Sequence, residues 1–460
     1  MASPLADVVN AIKSNSDCAP NLKKLLNTLQ TQEELLIQHM PQLDEAAQAL
    51  SPAQHTLGLV FILCAACPPA LGTQLYSRPS HFSAHLVRSS RSCRNCKGAA
   101  VPLSNPAAVQ VFMGQCRRML LGCDPEQVQM VPRCFVSVCT KFIQACQAAK
   151  SPLSAIRPLQ HAACALQPSP SHFTPLHAEF LKVCLLAKCY SAAQPILDQE
   201  LLHVDREATL VVPRDLLLYH YYAGMVQTGL KRYQSAVNYF TLAVSAPTHV
   251  INAIMLEAYK KALFCSLVDC GEPPRLPKYV SPTIARAIKN SLGPYTDFAE
   301  SFAVSNVAQM RALLTKHAAA FQADHNLGLA KQCVPALMRR TIRRLTETYL
   351  TLSLVQIAEL VGLDSATAAE RQVREMIISG EIHATIDQQK GVVHFLEKAE
   401  NYDSHEAVKL MESALGGAIS LAAKLQDLHS SLAVDQNYLA RIATQDRQPQ
   451  WGDEESLLSK

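Results

Sequence analysis

The stretch LTLSLVQIAELVGL, at positions 350–363, contains the pattern that decides the fold of the C-terminal part of this chain. LTLSL predicts a short strand, and Ser353 stands where a helix N-cap accepts a hydrogen bond from the first turn. VQIAELVGL then has the apolar spacing of a short helix that ends at a glycine. A strand followed at once by a capped helix is how a DNA-reading helix-turn-helix begins.

The segments on either side complete a winged helix. A helix is predicted before the quoted stretch, and a capped helix and two strands around a tight turn after it. The evidence is, in chain order, KQCVPALMRRTIRRLTETY (331–349), the caps Asp364 and Ser365, ATAAERQVREMIIS (366–379) ending at Gly380, EIHATI (381–386), the turn 387–391 and VVHFLE (392–397).

The helix that would enter a DNA groove is electrically neutral. It carries Glu370, Arg371, Arg374 and Glu375, whereas phosphate contacts from basic side chains supply most non-specific DNA affinity. The basic cluster lies on the preceding helix, where a solvated face or a salt-bridged contact explains it: Arg339, Arg340, Arg343 and Arg344. The pattern therefore argues against DNA reading.

The composition is that of a globular, mainly helical chain. Its 460 residues are 49% apolar and 17% charged, and a net charge of +4 is too small to drive nucleic-acid or membrane binding by itself. The apolar run LGLVFILCAAC (57–67) is shorter than the roughly 20 residues that cross a bilayer, which predicts a buried helix. The N-terminus reads as an amphipathic helix rather than a signal peptide, and 16 cysteines in apolar contexts indicate a reducing compartment. We therefore expect the cytoplasm and nucleus.

One segment in the middle of the chain has the spacing of a tetratricopeptide-type helix pair. In YYAGMVQTGLKRYQSAVNYFTLAVSAP (221–247) small residues let two helices approach while aromatic residues fill the groove, at Gly224, Tyr233, Ala236, Phe240 and Ala243. The neighbouring segment 177–197 repeats the rhythm of small and large residues. The pattern predicts a helical solenoid, with an irregular helical bundle as the alternative.

No set of residues predicts a metal site or a catalytic centre. Cys64 with Cys67 and Cys93 with Cys96 have zinc-ribbon spacing, but the first pair sits in an apolar helix that suits buried thiols. His81 and His85 are near no further candidate ligand in the sequence. Phosphate loops, nucleophile elbows and zinc-protease motifs are absent from the sequence, so we predict no catalytic residue, no metal and no cofactor.

A long amphipathic helix is predicted after the winged helix. Ser404 caps it, and it runs to about Leu428 with a continuation toward Ala443. Its apolar stripe predicts contact with a partner, or docking on the chain's own winged helix: Val408, Met411, Leu415, Ile419, Ala422, Leu425 and Leu428.

Helical repeats leading into a winged helix and a final helix resemble the arrangement of the PCI-domain family. The resemblance extends to long phrases: VCLLAKCY, YYAGMVQTGLKRY, IMLEAYKKALFCSLV, LPKYVS, NLGLAKQC, IRRLTETYLTLSL and MIISGEIHATIDQQKGVVHF. These phrases are similar to those of the COP-nine signalosome branch of the family. Proteasome-lid and initiation-factor members share the domain order and are the alternatives.

The resemblance implies a non-catalytic scaffold subunit of a complex that removes a ubiquitin-like modifier from cullins. Its implied partners are other PCI-domain and metalloisopeptidase-domain subunits, and cullin-RING ligases indirectly. No membrane is expected, and a winged helix that binds nucleic acid is the less favoured alternative. The wing strands of such subunits join from one subunit to the next, and their C-terminal helices form a shared bundle. The implied pairing residues here are Ile382, Ala384, Ile386, Val393 and Phe395, and the implied bundle residues are those of the apolar stripe.

The predicted fold is mainly α: a right-handed tetratricopeptide-like solenoid, a winged helix completing a PCI domain, and a C-terminal helix. The predicted segments are N-terminal repeats (1–75), an irregular insertion rich in Ser, Arg and Cys (76–106), the solenoid (107–330), the winged helix (331–398), the bundle helices (399–443) and an acidic tail (444–460).

Overall fold

The computed structural model describes residues 4–15, 19–32, 36, 42–66, 106–199, 201, 203–246, 252–396 and 404–445. Most of these residues are helical, which confirms the predicted class. The chain divides into two units, Met1–Tyr349 with Ser353–Met376, and Leu350–Leu352 with Ile377–Lys460. The predicted insertion and tail fall almost wholly outside the described residues.

The first unit is built from helices joined by short turns. In chain order they are α1 (Pro4–Asn15), α2 (Ala19–Thr31), α3 (Leu43–Gln48), α4 (Thr56–Ala66), α5 (Pro106–Gly122), α6 (Pro125–Met130), α7 (Pro132–Ala148), α8 (Ile156–Leu166), α9 (Pro175–Leu186), α10 (Gln194–Leu197), α11 (Arg206–Thr209), α12 (Pro213–Gly229), α13 (Tyr233–Val244), α14 (Ala253–Asp269), α15 (Pro282–Ser291), α16 (Gly293–Val304), α17 (Val307–Lys316), α18 (Ala318–Ala323), α19 (Leu327–Thr348), α20 (Leu354–Val361) and α21 (Ala366–Ile378). Short 3-10 turns lie at Pro152–Ala155 and Ser191–Ala193.

Proline sets where several of these helices begin. Pro175 and Pro213 occupy the first turn of α9 and α12, where a missing amide hydrogen removes no helical hydrogen bond. At the start of α6 the carboxylate of Asp124 accepts a hydrogen bond from the amide of Glu126 at 3.3 Å. Local chemistry of this kind is what makes the helix starts readable from the sequence.

The predicted repeat pair is α12 and α13. Gly224 lies against the ring of Phe240, and Ala236 and Ala243 are fully buried. The neighbouring segment 177–197 is less regular than the pattern predicts. Its second half is a 3-10 turn followed by the four-residue α10, because Pro195 fits only the first turn of a helix.

One continuous apolar core runs from Val8 in α1 to Val226 in α12. Helix α4 lies within it, and its residues from Thr56 to Leu63 are buried, which confirms a buried helix for residues 57–63 of the apolar run; Cys67 lies outside the described residues. Among the described residues, none of the helices combines the length and the apolar character that a membrane crossing requires.

A second core lies farther along the first unit, around Phe264 of α14. The ring centroid of Phe264 is 5.2 Å from that of Tyr295, 5.5 Å from that of Phe298 and 5.4 Å from that of Phe321. Edge-to-face and tilted contacts of this kind add to the stabilisation from buried area. They bring α14, α16 and α18 together ahead of α19, the first helix of the predicted winged helix.

The stretch that opens the winged helix folds as its local chemistry predicts. The hydroxyl of Ser353 accepts from the amide of Gln356 at 3.2 Å, and the Gln356 side chain accepts from the amide of Ser353 at 3.2 Å. This reciprocal pair is a capping box. Gly362 ends α20 with φ +73°, a left-handed conformation in which a Cβ would be strained.

The second unit contains a three-stranded sheet with strand order β1-β3-β2. Its strands are β1 (Thr351–Ser353), β2 (Ala384–Asp387) and β3 (Val392–Phe395). The carboxylate of Asp387 accepts hydrogen bonds from the amides of Gln389 at 3.0 Å and Lys390 at 3.2 Å, which closes the predicted turn. The predicted strand at 381–386 is observed at Ala384–Asp387. It begins at Ala384 because β3 ends at Phe395, the residue that pairs with Ala384.

The second unit ends in two helices, α22 (His405–Val434) and α23 (Gln436–Gln445). Ser404 caps α22 as predicted, its hydroxyl accepting from the amide of Ala407 at 3.2 Å. Helix α22 ends at Val434, beyond the predicted Leu428, because no glycine or proline interrupts the segment from His429 to Val434. Helix α23 covers the predicted continuation toward Ala443.

Candidate assembly surfaces

The first candidate surface is the outer edge of strand β2. The amide of Leu396 donates to the carbonyl oxygen of His383 at 2.8 Å, which makes these opposed residues a hydrogen-bonded pair. Hydrogen-bonded and non-hydrogen-bonded pairs alternate in an antiparallel ladder, so Thr385 bonds His394 whereas Ala384 and Ile386 do not bond β3. The main-chain groups of Ala384 and Ile386 therefore point to the outer edge of the sheet.

The predicted pairing residues lie on the inward side of the hairpin. Ile382, Val393 and Phe395 are buried, and Ala384 and Ile386 are half-buried. Ile382 precedes β2, so its prediction as a strand residue is wrong. These side chains are buried or half-buried. The groups of Ala384 and Ile386 that remain available at the edge are their main-chain N–H and C=O groups.

The other face of the hairpin is exposed. His383 and Thr385 on the β2 side and His394 and Leu396 on the β3 side are all exposed, since alternate residues of a strand face opposite sides of the sheet. On strand β2 the exposed side chain of Thr385 lies next to the outward-pointing main-chain groups of Ala384 and Ile386. A partner strand added at the edge would extend a sheet that has one apolar and one polar side.

The second candidate surface is helix α22, in which no residue is buried. All seven residues of the predicted stripe are exposed; Leu415 is 63% exposed and Ile419 is 70% exposed. A soluble helix usually buries its apolar side against the rest of its chain. Helix α22 instead leaves that side open along its whole length.

The apolar side of α22 is wider than the predicted stripe. With roughly 100° per residue, Val408, Met411, Leu415, Ile419 and Ala422 form one stripe. A second stripe lies beside it and includes the predicted Leu425 and Leu428 together with three leucines outside the predicted stripe: Leu410, Leu421 and Leu432. Leu410 is 74% exposed and Leu421 is 69% exposed. Their spacing of eleven residues, about three turns, is the signal that would have found them.

The two stripes together occupy about half of the helix circumference. A single partner helix in a coiled coil needs only the narrower seam of two positions in every seven. An arc of this width fits a helix that has at least two neighbours. The apolar surface of α22 is therefore wider than a simple helix pair requires.

The recognition-helix position, α21, is exposed but neutral, since Arg371, Arg374 and Glu375 face solvent and Glu370 is half-buried. On α19 the guanidinium of Arg344 donates to the Ser305 hydroxyl at 3.1 Å, and that of Arg340 donates to the Cys270 carbonyl oxygen. Arg340 and Arg344 of the predicted basic cluster are thus held in contacts within the first unit.

The candidate metal ligands are only partly covered by the structure. Cys67, Cys93, Cys96, His81 and His85 lie outside the described residues. Cys64 is half-buried in α4, and the ammonium of Lys141 donates to its carbonyl oxygen at 3.0 Å. Within the described part of the chain, no three His, Cys, Asp or Glu side chains come close enough together to hold a metal ion.

Comparison with known proteins gives the family context of these surfaces. A family model described as COP9 signalosome complex subunit 3, N-terminal helical repeats, matches residues 19–105 and 94–284, and the PCI domain model matches residues 314–397. An Arabidopsis thaliana protein named COP9 signalosome complex subunit 3 is 39% identical over 338 residues, covering 73% of this chain and 77% of the relative.

A Dictyostelium discoideum protein of the same name is 31% identical over 427 residues, covering 92% of this chain and 93% of the relative. The phrases quoted above resemble this same signalosome subunit, subunit three, and the comparison confirms that resemblance. The proteasome-lid and initiation-factor alternatives are not favoured, because both relatives carry the signalosome name. This chain belongs to the COP9 signalosome complex subunit 3 family.

Proposed function

We propose that this chain is a non-catalytic scaffold subunit of a COP9 signalosome. It holds other PCI-domain and metalloisopeptidase-domain subunits together, and the assembled complex acts on cullins in cullin-RING ligases, as the family resemblance implies. The observation that carries the proposal is the apolar arc of α22, by which we mean its two apolar stripes together. None of the thirty residues of this helix is buried. A chain that works alone would bury such an arc.

Two surfaces divide the work of assembly in this proposal. The outer edge of β2 adds a strand from a neighbouring subunit through the main-chain groups of Ala384 and Ile386. The apolar arc of α22 enters a helical bundle through Val408, Met411, Leu415, Ile419, Ala422, Leu425 and Leu428, together with Leu410, Leu421 and Leu432. Strand edges and apolar helices risk aggregation on a lone protein, whereas in an obligate assembly they are covered.

The test is the size of the complex that forms around a charge-substituted chain. Leu415→Asp with Ile419→Asp places two carboxylates in the bundle, where burying unpaired charge costs several kcal/mol. Lys409→Asp on the polar side of α22 changes the net charge by the same amount and is the matched control. We expect the double variant to elute from gel filtration apart from the complex, and the control to co-elute with it.

A folding control completes this experiment. Both variants should give the far-ultraviolet circular dichroism and thermal midpoint of the unmodified chain, since the substituted residues touch no core. Normal assembly of the double variant would overturn the proposed function. For location we propose the cytoplasm and nucleus, because sixteen cysteines in apolar contexts suit a reducing compartment; imaging of a tagged full chain tests this.

A further inference from the structure

The loop between α14 and α15 contains a proline-rich stretch, GEPPRLPKYVS at positions 271–281. Residues 273–277 are in neither a helix nor a strand, and Lys278 and Tyr279 lie in a turn. We refer to residues 273–279 as the proline segment. It belongs to the first unit and to neither of the two candidate assembly surfaces, so the proposed function gives it no role.

Proline restricts the backbone of the proline segment. A proline ring fixes φ at about −65°, and the residue before a proline is confined to extended conformations. Of the six residues from Glu272 to Pro277, three are prolines and two others stand directly before one, which leaves only Arg275 unrestricted. Such a chain favours polyproline II, an extended helix with three residues per turn and its main-chain groups open to solvent. It therefore loses little conformational entropy when it binds.

Both ends of the proline segment are fixed to the first unit. The hydroxyl of Ser266 in α14 donates to the carbonyl oxygen of Glu272 at 2.6 Å. The amide of Val280 donates to the carbonyl oxygen of Pro277 at 3.1 Å, which closes the turn, and the side chain of Val280 is buried. The turn is thus anchored on both sides, with Tyr279 as one of its two central residues.

The side of the segment that faces solvent carries a large aromatic ring. Tyr279 is 70% exposed, and within the described part of the chain its side chain has no hydrogen-bond or ring partner. Three further residues of the segment are exposed: Pro273, Arg275 and Lys278. The other three are half-buried: Pro274, Leu276 and Pro277. The exposed side therefore has a proline at one end, a tyrosine at the other and two basic side chains between them.

The charge of this part of the chain is positive. Residues 273–296 include four basic residues and no acidic residue. Arg275 contacts Glu272 at 3.2 Å, but its side chain is 90% exposed, and a surface ion pair of this kind contributes little to stability. The guanidinium of Arg275 is therefore available to a partner. A complementary partner carries carboxylates beside its binding groove.

Two classes of partner recognise an exposed aromatic ring flanked by basic residues. Single-stranded nucleic acid stacks its bases on successive aromatic side chains, and the proline segment offers one ring. A protein groove lined by aromatic side chains instead accepts a proline-restricted chain, whose φ values already match polyproline II. The proline content therefore favours a protein groove over nucleic acid.

We propose that the proline segment binds a small protein domain of the WW type, whose groove is lined by aromatic side chains and bordered by carboxylates. Pro273 packs on the aromatic face, the ring of Tyr279 fills a neighbouring pocket, and the carboxylates pair with the basic side chains between them. An SH3-type groove takes two prolines three residues apart, which here are the half-buried Pro274 and Pro277. This inference goes beyond the proposed function, because it concerns a partner other than the subunits of the complex.

Titration of the full chain against a panel of purified WW domains tests the inference, with fluorescence anisotropy of the labelled domains as the readout. At least one domain should bind, and Tyr279→Ala should lower its affinity about tenfold or more, the usual effect of removing a central aromatic contact. Tyr349→Ala is the matched control, because Tyr349 is 42% exposed and lies outside the segment. It should change the affinity less than about twofold. Absence of binding to every WW domain of the panel would overturn the inference.

The basic residues provide a second readout. Arg275→Ala with Lys278→Ala removes the charges beside the groove, so the affinity should fall and depend less on salt concentration. Arg286→Ala with Lys289→Ala removes the same charge from the exposed side of α15 and should have a smaller effect. Equal losses from the two pairs would mean that binding is a non-specific attraction between opposite charges, which contradicts recognition of the proline segment.

Assembly distinguishes this role of Tyr279 from a contact between subunits. The Tyr279→Ala chain should keep the thermal midpoint of the unmodified chain, because its ring is exposed, and should enter the reconstituted complex equally well. Loss of incorporation together with unaltered WW binding would show that Tyr279 contacts a neighbouring subunit instead, and the inference would be overturned. The carboxylate variant at Leu415 and Ile419 tests the proposed function separately, so the two ideas can fail independently.

Discussion

The ring of Phe240 lies so close to the bare Cα of Gly224 that a Cβ on Gly224 would be 2.6 Å from two of its ring carbons. Phe240 is completely buried, so its ring has no free space to move into. We expect Gly224→Ala to lower the free energy of unfolding by about 1–3 kcal/mol, the usual effect of overpacking a core. Urea denaturation followed by circular dichroism measures this change.

Gly114 provides the control. It lies inside α5, is exposed, and a Cβ on it would meet nothing within 4 Å. Gly114→Ala should therefore stabilise the chain by roughly 0.5–1 kcal/mol through helix propensity alone. Both substitutions add the same methyl group to a helix, so equal effects would show that α12 and α13 do not approach as closely as the repeat pattern requires.

A buried hydrogen bond joins Lys261 of α14 to Asn326 at the start of α19. The ammonium of Lys261 donates to Oδ1 of Asn326 at 2.6 Å, and Nδ2 of Asn326 donates to the Tyr295 hydroxyl at 3.0 Å. The hydroxyl of Tyr295 in turn donates to Asp324 at 2.8 Å. Burial lowers the pKa of Lys261, which reflects the cost of holding its charge away from water.

We expect Asn326→Leu to lower the free energy of unfolding by about 3 kcal/mol, because it leaves the buried ammonium without its acceptor. Lys261→Met removes that ammonium. The double variant should therefore be more stable than Asn326→Leu alone, and thermal unfolding of all four chains gives the coupling between the two residues. A double variant less stable than either single one would contradict this account.

Local chemistry explains how much of the fold could be predicted from the sequence. The cap at Ser353, the end of α20 at Gly362 and the turn closed by Asp387 each depend on residues within four positions of one another. The contact between Lys261 and Asn326 spans 65 positions, and no sequence pattern indicates it. Non-local pairings of this kind are decided by tertiary packing rather than by spacing.

The assembly surfaces also combine local features that the sequence predicts with non-local features that it does not. Apolar periodicity predicts the first stripe of α22, but a search for one stripe misses Leu410, Leu421 and Leu432, which lie beside it. For the hairpin, alternation identifies the inward side chains. The outward-facing main chain follows from the register of Ala384 opposite Phe395, which depends on where two separate strands meet.

Burial of His220 predicts a loss of stability in acid. Burial lowers its pKa from 6.5 to about 4, and its Nδ1 has no hydrogen-bond partner among the described residues. Below pH 6.5 the imidazole of His220 binds a proton in the unfolded chain but not in the folded chain. The contribution of His220 to stability is therefore constant well above pH 6.5 and falls from about pH 6.5 toward pH 4.

His220→Phe keeps a ring beside Tyr219, whose centroid is 5.3 Å away, and removes the titrating group. We expect its stability at pH 7.5 to match that of the unmodified chain within about 1 kcal/mol. Its loss of stability between pH 6.5 and pH 5 should be smaller by about 2 kcal/mol, at 1.36 kcal/mol per pH unit. Urea midpoints across this range test the prediction, and identical pH profiles would contradict it.

The outer edge of β2 can be tested through its main-chain amide hydrogens. Proline lacks the amide hydrogen, so Ala384→Pro removes a main-chain donor that points away from β3, whereas Thr385→Pro removes one that bonds His394. Edge strands tolerate proline where the amide faces solvent. We therefore expect Ala384→Pro to keep the thermal midpoint of the chain, and Thr385→Pro to lower it.

The effect on assembly distinguishes strand addition from a contact through side chains. If a neighbouring subunit adds a strand at this edge, Ala384→Pro should lower incorporation into the complex about tenfold, since one lost main-chain hydrogen bond and the displaced backbone together cost about 1.4 kcal/mol or more. Ala384→Val, which retains the amide, is the matched control and should assemble normally. Equal incorporation of the proline and valine variants would mean that the outer edge of β2 is not a joint between subunits.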